Sequence, residues 1–150
     1  MLPHSSTATT DRLACEAGIL APWRRAALLR NKTVILDTLA AARIARADIE
    51  FEDLPFGCYI HSANAYGDAG RFILPALQLR YAEPGRRLRF RHRKLHLIAA
   101  LSRMLDDLLG DAWNSALDAE GILNIDVQGR VFLLSGHSKD VDRQAFRRLY

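Results

Sequence analysis

The sequence predicts an α+β fold: a two-layer sandwich in which a helix followed by two strands occurs twice over a mainly antiparallel sheet, with extra helices at the N and C termini. Three observations carry this. Two segments have apolar residues at helical spacing, segments of alternating residues follow each, and tight turns join those strands directly, without the crossover helix that a parallel sheet needs. The 150 residues, 49% hydrophobic and 25% charged, suit one domain and are too few for two well-packed ones. The longest apolar run, Phe72 to Leu77, is six residues and contains Pro75, far from the roughly 20 residues of a membrane-spanning helix. No membrane partner is expected.

Residues 1 to 20 read as a loose tail and 21 to 150 as the single domain. Pro22, Trp23, Ala26, Ala27 and Leu28 suit a short first helix. Asn31 reads as the N-cap of a second, from about 32 to 44, with Ile35, Leu39 and Ala42 at spacings of four and three. In Asp48-Ile49-Glu50-Phe51-Glu52 the period becomes two, which puts Ile49 and Phe51 on one face of a strand and three carboxylates on the other.

Cys58 to Ala65 reads as irregular. Tyr66-Gly67-Asp68-Ala69-Gly70 reads as a tight turn, with Gly67 and Gly70 supplying positive φ and Asp68 a local hydrogen bond. Arg71 to Arg80 reads as one strand, at an edge or bulged because Pro75 cannot donate to a ladder, and Glu83-Pro84-Gly85 as the next turn. Arg87-Leu88-Arg89-Phe90-Arg91 alternates and predicts a short strand with its arginines on one face. A helix from about 93 to 109 follows, with Leu97, Leu101, Leu105 and Leu108 in one stripe and Gly110 at its end. Leu123, Ile125 and Val127 alternate with Asn124 and Asp126, Gln128-Gly129 turns the chain, and Arg130 to Leu134 returns as the second strand of a hairpin. Val141 to Tyr150 reads as a terminal basic helix.

The net charge of +4 is unevenly placed, because residues 80 to 94 hold seven Arg or Lys against the single Glu83, leaving the other residues at −2. Attraction to phosphate is therefore local, and Arg86, Arg87, Arg89, Arg91, Arg93 and Lys94 form the candidate binding patch. Cys15 and Cys58 are too few for a disulfide framework and lack zinc-type spacing, which makes a reducing cytoplasm the expected compartment.

Asn31-Lys32, Leu39-Ala40-Ala41-Ala42, Ile49-Glu50-Phe51, Tyr66-Gly67-Asp68-Ala69-Gly70-Arg71, Trp113-Asn114 and the hairpin Ile122 to Leu134 occur in one order along the chain. This order resembles a family of small uncharacterised bacterial proteins, a domain of unknown function associated with plasmids and other mobile elements. That family's pattern runs from an N-K helix through a G-Y-G-D-S-G-Q-like turn to a closing hairpin, and the resemblance spans roughly residues 31 to 135. Ala69 and Arg71 depart from the usual Ser and Gln, and residues 54 to 65 look like an insertion. The resemblance implies a mobile-element setting and brings no activity.

Several constellations bear on chemistry. Glu50, Glu52 and Asp53 facing Asp68 have the residue types of a metal or acid-base site, yet alternation alone makes a solvated acidic face, and an Asp between glycines is ordinary turn chemistry. His92 and His96, four apart, would share a helical face, but two ligands make no metal site. His61-Ser62 and His137-Ser138-Lys139-Asp140 lack a nucleophile elbow. Asp106, Asp107 and Asp111 gather near a helix C-terminus, where the macrodipole disfavours them.

The resulting expectation is a non-enzymatic adaptor or modulator without cofactor or metal, acting on a protein partner through the arginine stripe or the acidic strand. The alternative is nucleic-acid binding through residues 86 to 94, and a small metal-dependent hydrolase comes third. If Glu50 and Glu52 lie across the sheet from the arginines, they neutralise the stripe by cross-strand pairing.

Overall fold

The computed structural model describes residues 24–84, 90–112, 119–139 and 145–150. These form an α+β arrangement of two helices and mostly antiparallel strands. Helix α1 spans 24–41, and α2 spans Leu97–Ala112. The strands are β1 (Ile44–Leu54), β2 (Gly57–Gly67), β3 (Gly70–Ile73), β4 (Gln78–Pro84), β5 (Phe90–His96), β6 (Ala119–Asp126), β7 (Val131–Ser138) and β8 (Ala145–Leu149). Six of them pair in the order β3-β2-β1-β6-β7-β8, while β4 and β5 form a separate two-stranded ribbon. Among the described residues five strands thus follow α1 and three follow α2, where the expected repeat has two and two and the segment-by-segment reading three and two.

The alternation read in β1 holds. Ala47, Ile49 and Phe51 are buried, whereas Asp48, Glu50 and Glu52 face outward. Leu123 and Ile125 of β6 and Phe132 and Leu134 of β7 continue the buried face. Ile35, Leu36 and Leu39 of α1 and Leu97, Leu101, Met104, Leu105 and Leu108 of α2 belong to the same core cluster. The α2 stripe is therefore as its leucine spacing predicts. Chain reversal between β6 and β7 uses Arg130 at φ 55°, with the Gly129 N–H donating to Asp126 Oδ1 at 2.9 Å.

Six local expectations are corrected. The described part of the N-terminal region holds one helix without a break at Asn31. That residue is buried in its middle and caps nothing, because its side chain bonds the backbone of Ala82 in the ribbon. α1 ends earlier than 44, where Arg43 takes φ 58° and redirects the chain into β1.

Cys58 to Ala65, read as irregular, is the body of β2. His61 is an extra residue between the pairs Glu50 with Ser62 and Phe51 with Ile60, a bulge that destroys the period-two signal. The segment from Arg71 to Arg80 is not one strand, since β3 stops at Ile73 and β4 starts at Gln78 with Pro75 between them. The second helix begins at Leu97 and not near 93, because residues 93–96 pair with β4. The C-terminal basic helix is replaced over Ala145–Leu149 by β8, paired with β7, while residues 141–144 lie outside the described set.

The glycine turn between β2 and β3 is present, and its two glycines work differently. Gly70 has φ +93°, the backbone freedom expected of it. Gly67 has no positive φ; a Cβ there would lie 2.7 Å from the Arg43 carbonyl oxygen, so close approach requires the glycine. Tyr66 stacks beneath the Arg46 guanidinium, 4.2 Å from ring centroid to Cζ. Asp68 sits in the turn, by the end of β1 that bears Ile44. The loose tail, the first three residues of the strand expected over 87–91, Trp113-Asn114 and Gly85 fall outside the described residues, while Phe90 and Arg91 of that strand open β5.

Candidate nucleic-acid interface

Alternation along β5 divides the basic patch between two faces. Arg91 and Arg93 share one with Leu95, while His92 and Lys94 share the other with His96. The first face turns toward β4 residues Leu79, Tyr81 and Glu83, the register partners of Leu95, Arg93 and Arg91. Leu79 and Tyr81 are buried and anchor the ribbon to the core. On the second face, Arg80 stands directly opposite Lys94, and both are exposed. Like charges opposite one another across a strand pair destabilise it unless an anion lies between them.

Within the described ribbon Glu83 is the sole carboxylate. It ion-pairs with Arg103 of α2 and sits 3.9 Å from Arg93. Among the described residues neither Arg80 nor Lys94 forms an ion pair. Arg30 of α1 approaches the Phe90 ring at 5.5 Å, adding a further cation at the outer end of β5. Arg86, Arg87 and Arg89 belong to the stretch linking β4 to β5 and are outside the described residues.

Glu50 and Glu52 lie on β1 in the six-stranded sheet, whereas Arg91 and Arg93 occupy the separate ribbon, so neither carboxylate pairs across a strand with those two arginines. Glu52 instead contacts His61 at 2.7 Å and forms an ion pair with Lys139. It also sits directly opposite Glu120, which contacts His137 at 2.9 Å. The result is a transverse row, His61, Glu52, Glu120 and His137, on the outward face of the sheet. Beside it Glu50, Ile122 and Ser135 help line an open depression of about 380 Å³. Nothing in the sequence joins His61 and His137, whose segments lack a nucleophile elbow, since each meets its carboxylate through strand register alone.

Asp53 and Asp68 do not gather with Glu50 and Glu52 into one acidic site. Asp53 pairs in register with Cys58 at one end of the β1-β2 hairpin, and Asp68 follows β2 at the other. His92 and His96 lie on a strand, roughly 13 Å apart along it, and share no helical face.

Asp106 and Asp107 lie within α2 and reach neighbouring strands. Asp106 accepts the Cys58 N–H at 2.9 Å, and Asp107 accepts the Tyr81 hydroxyl at 3.1 Å. Burial raises the Tyr81 pKa well above the ordinary phenol range, with the Asp107 charge adding to it. Burial likewise raises Asp107 above the ordinary carboxylate value. No helix among the described residues is long and apolar enough to cross a membrane.

No protein family, curated protein or solved structure matches the chain.

Proposed function

We propose that this protein binds nucleic acid through the β4-β5 ribbon, holding the phosphate backbone without reading base sequence. The carrying observation is the exposed Arg80 and Lys94 pair, two cations in register with no carboxylate between them. A bridging phosphate relieves their repulsion. Arg91 and Arg93 lie on the ribbon's other face, and alternate side chains along a strand stand about 6.6 to 6.8 Å apart, which suits contacts to successive phosphates. A two-stranded ribbon also has the dimensions to enter a duplex major groove. In this reading the helices form one layer against the buried side of the six-stranded sheet, and the protein is a non-enzymatic modulator; its resemblance implies a mobile-element setting.

A protein partner is the second reading, favoured by the outward row of Glu52, Glu120, His61 and His137 beside the exposed Ile122. Titration against a short duplex and a single strand at several salt concentrations tests the first reading. Parent protein is expected to bind both with strong salt dependence. Arg80→Ala combined with Lys94→Ala should weaken binding to all sequences alike and flatten the slope of log K against log salt by about 1.4 to 1.8. Absence of salt-dependent binding by the parent would refute it. A pull-down with parallel nuclease treatment then separates the readings, since a protein partner is retained after digestion.

A further inference from the structure

Away from the ribbon, three elements bring a mixed donor set together. Asp53 lies one residue before the end of β1, Cys58 one residue after the start of β2 and Asp106 on α2, with one ligand atom from each within 4.8 Å of the others. We infer that Asp53, Cys58 and Asp106 form a binding site for one zinc-class divalent cation, with a fourth coordination position left to water.

The donor set points to this class of ion. A thiolate with two carboxylates offers one soft and two hard ligands, a combination that suits zinc, cobalt or cadmium and disfavours magnesium and calcium. One pair already has the spacing such an ion needs, because bonds of about 2.0 to 2.3 Å in tetrahedral array place ligand atoms roughly 3.3 to 3.8 Å apart, and Cys58 Sγ, whose S–H donates to Asp53 Oδ1, lies 3.8 Å from it. The three atoms together lie within 4.8 Å, so binding draws the set inward. Asp106 Oδ1 is fixed by the Cys58 N–H, which orients the carboxylate and leaves Oδ2 for a metal. Gly57, at φ +129°, lies beside that oxygen; a Cβ there would stand in ordinary van der Waals contact, 3.5 Å from Oδ2. Cys58 is buried, Asp53 half-buried and Asp106 exposed, so an ion has an entry path from solvent.

Without metal the arrangement is unfavourable to a thiolate. Burial and the two neighbouring carboxylates push the Cys58 thiol well above its ordinary pKa. A divalent cation reverses that balance: the sulfur–metal bond forms as the S–H bond breaks, and the proton passes to buffer. No electron is transferred.

The test is a Co²⁺ titration of the reduced, metal-stripped full chain. One equivalent should bind, with a thiolate-to-cobalt charge-transfer band and the intense visible bands of tetrahedral cobalt; Zn²⁺ should displace it, and millimolar Mg²⁺ should not. Cys58→Ser should lose the charge-transfer band, whereas Cys15→Ser should keep it. Asp106→Asn retains an oxygen acceptor for the Cys58 N–H, so the fold is expected to survive while affinity falls at least about tenfold. Asp53→Asn should do the same. The inference fails if the parent gives no such band, if the band persists in Cys58→Ser, or if both Asn variants bind as tightly as the parent. Circular dichroism of each variant distinguishes lost ligation from lost fold.

Discussion

Asn31 and Ala82, 51 residues apart in sequence, are joined through both polar groups of the Ala82 backbone: Asn31 Nδ2 donates to the carbonyl at 2.8 Å, and the Ala82 N–H donates to Asn31 Oδ1 at 2.7 Å. The amide side chain stands where a neighbouring strand would otherwise pair. It fixes the ribbon to α1, and it is buried. The stability of the ribbon's base therefore depends on a residue outside the ribbon.

Asn31→Ala should destabilise the fold by at least about 2 kcal/mol, because it leaves a buried N–H and a buried carbonyl without partners, each costing about 1 to 3 kcal/mol. Asn31→Asp keeps an acceptor for the N–H and loses the donor for the carbonyl, and it introduces a buried charge near neutral pH. Urea unfolding monitored by circular dichroism should rank parent above both variants. A variant equal to the parent would show that the amide is dispensable.

These bonds also explain what was legible in the sequence. β1, the β6-β7 hairpin and the α2 stripe announce themselves because Ile49, Phe51, Leu123, Ile125 and the helical leucines repeat with the period of their own element. Asn31 carries no such signal, since a polar residue in a helix reads as a cap unless its distant partner is known. β2 was hidden by the His61 bulge, which breaks its alternation.

β5 and β8 are short and basic, and their assignment rests on pairing with β4 and β7, a tertiary fact. The site was half visible for the same reason. The charge of residues 80 to 94 is plain in the sequence; which cations face one another, and that Glu50 and Glu52 lie in another sheet, follows from register alone.

The two turn glycines should separate by mechanism. Gly70→Ala forces a side chain into positive φ with open space around it, so a loss of about 1 kcal/mol is expected from backbone strain. Gly67→Ala meets the Arg43 carbonyl oxygen at 2.7 Å and requires the end of α1 to move. Its loss should be the larger, and thermal melting of both variants checks the order. An equal melting temperature for Gly67→Ala and the parent would remove the close-packing account.

Asp107 gives a pH dependence with a definite sign. Burial raises its folded pKa above the ordinary 3.8, so the folded state binds more protons than the unfolded one between those two values. Its contribution to stability is greatest below pH 4 and diminishes as pH rises through the raised value. Because part of the side chain is exposed, solvent screens the effect and keeps it small. Asp107→Asn preserves an oxygen acceptor for the Tyr81 hydroxyl and removes the titration. Relative to this variant, the parent should lose stability as pH rises above 4; a parallel pair of stability curves would count against a raised pKa.

Glu83 supplies the sharpest distinction between a ribbon that binds phosphate and one that does not. It is the ribbon's sole described carboxylate, and it holds Arg103 and lies near Arg93, so it occupies cations that a phosphate could otherwise contact. Glu83→Gln removes a charge that repels a polyanion and releases those guanidinium groups. The two guanidinium groups are exposed and Glu83 is half-buried, and such solvent-accessible pairs contribute at most about 1 kcal/mol to folding, so the variant should remain folded. Its affinity for duplex and single strand should rise at low salt, and the slope of log K against log salt should steepen by up to about one for each phosphate newly contacted. A ribbon serving an acidic protein partner would also gain from the change, but the gain would appear with that protein and not with nucleic acid. An unaltered or weakened nucleic-acid affinity in a folded Glu83→Gln variant would show that Arg93 and Arg103 do not reach phosphate.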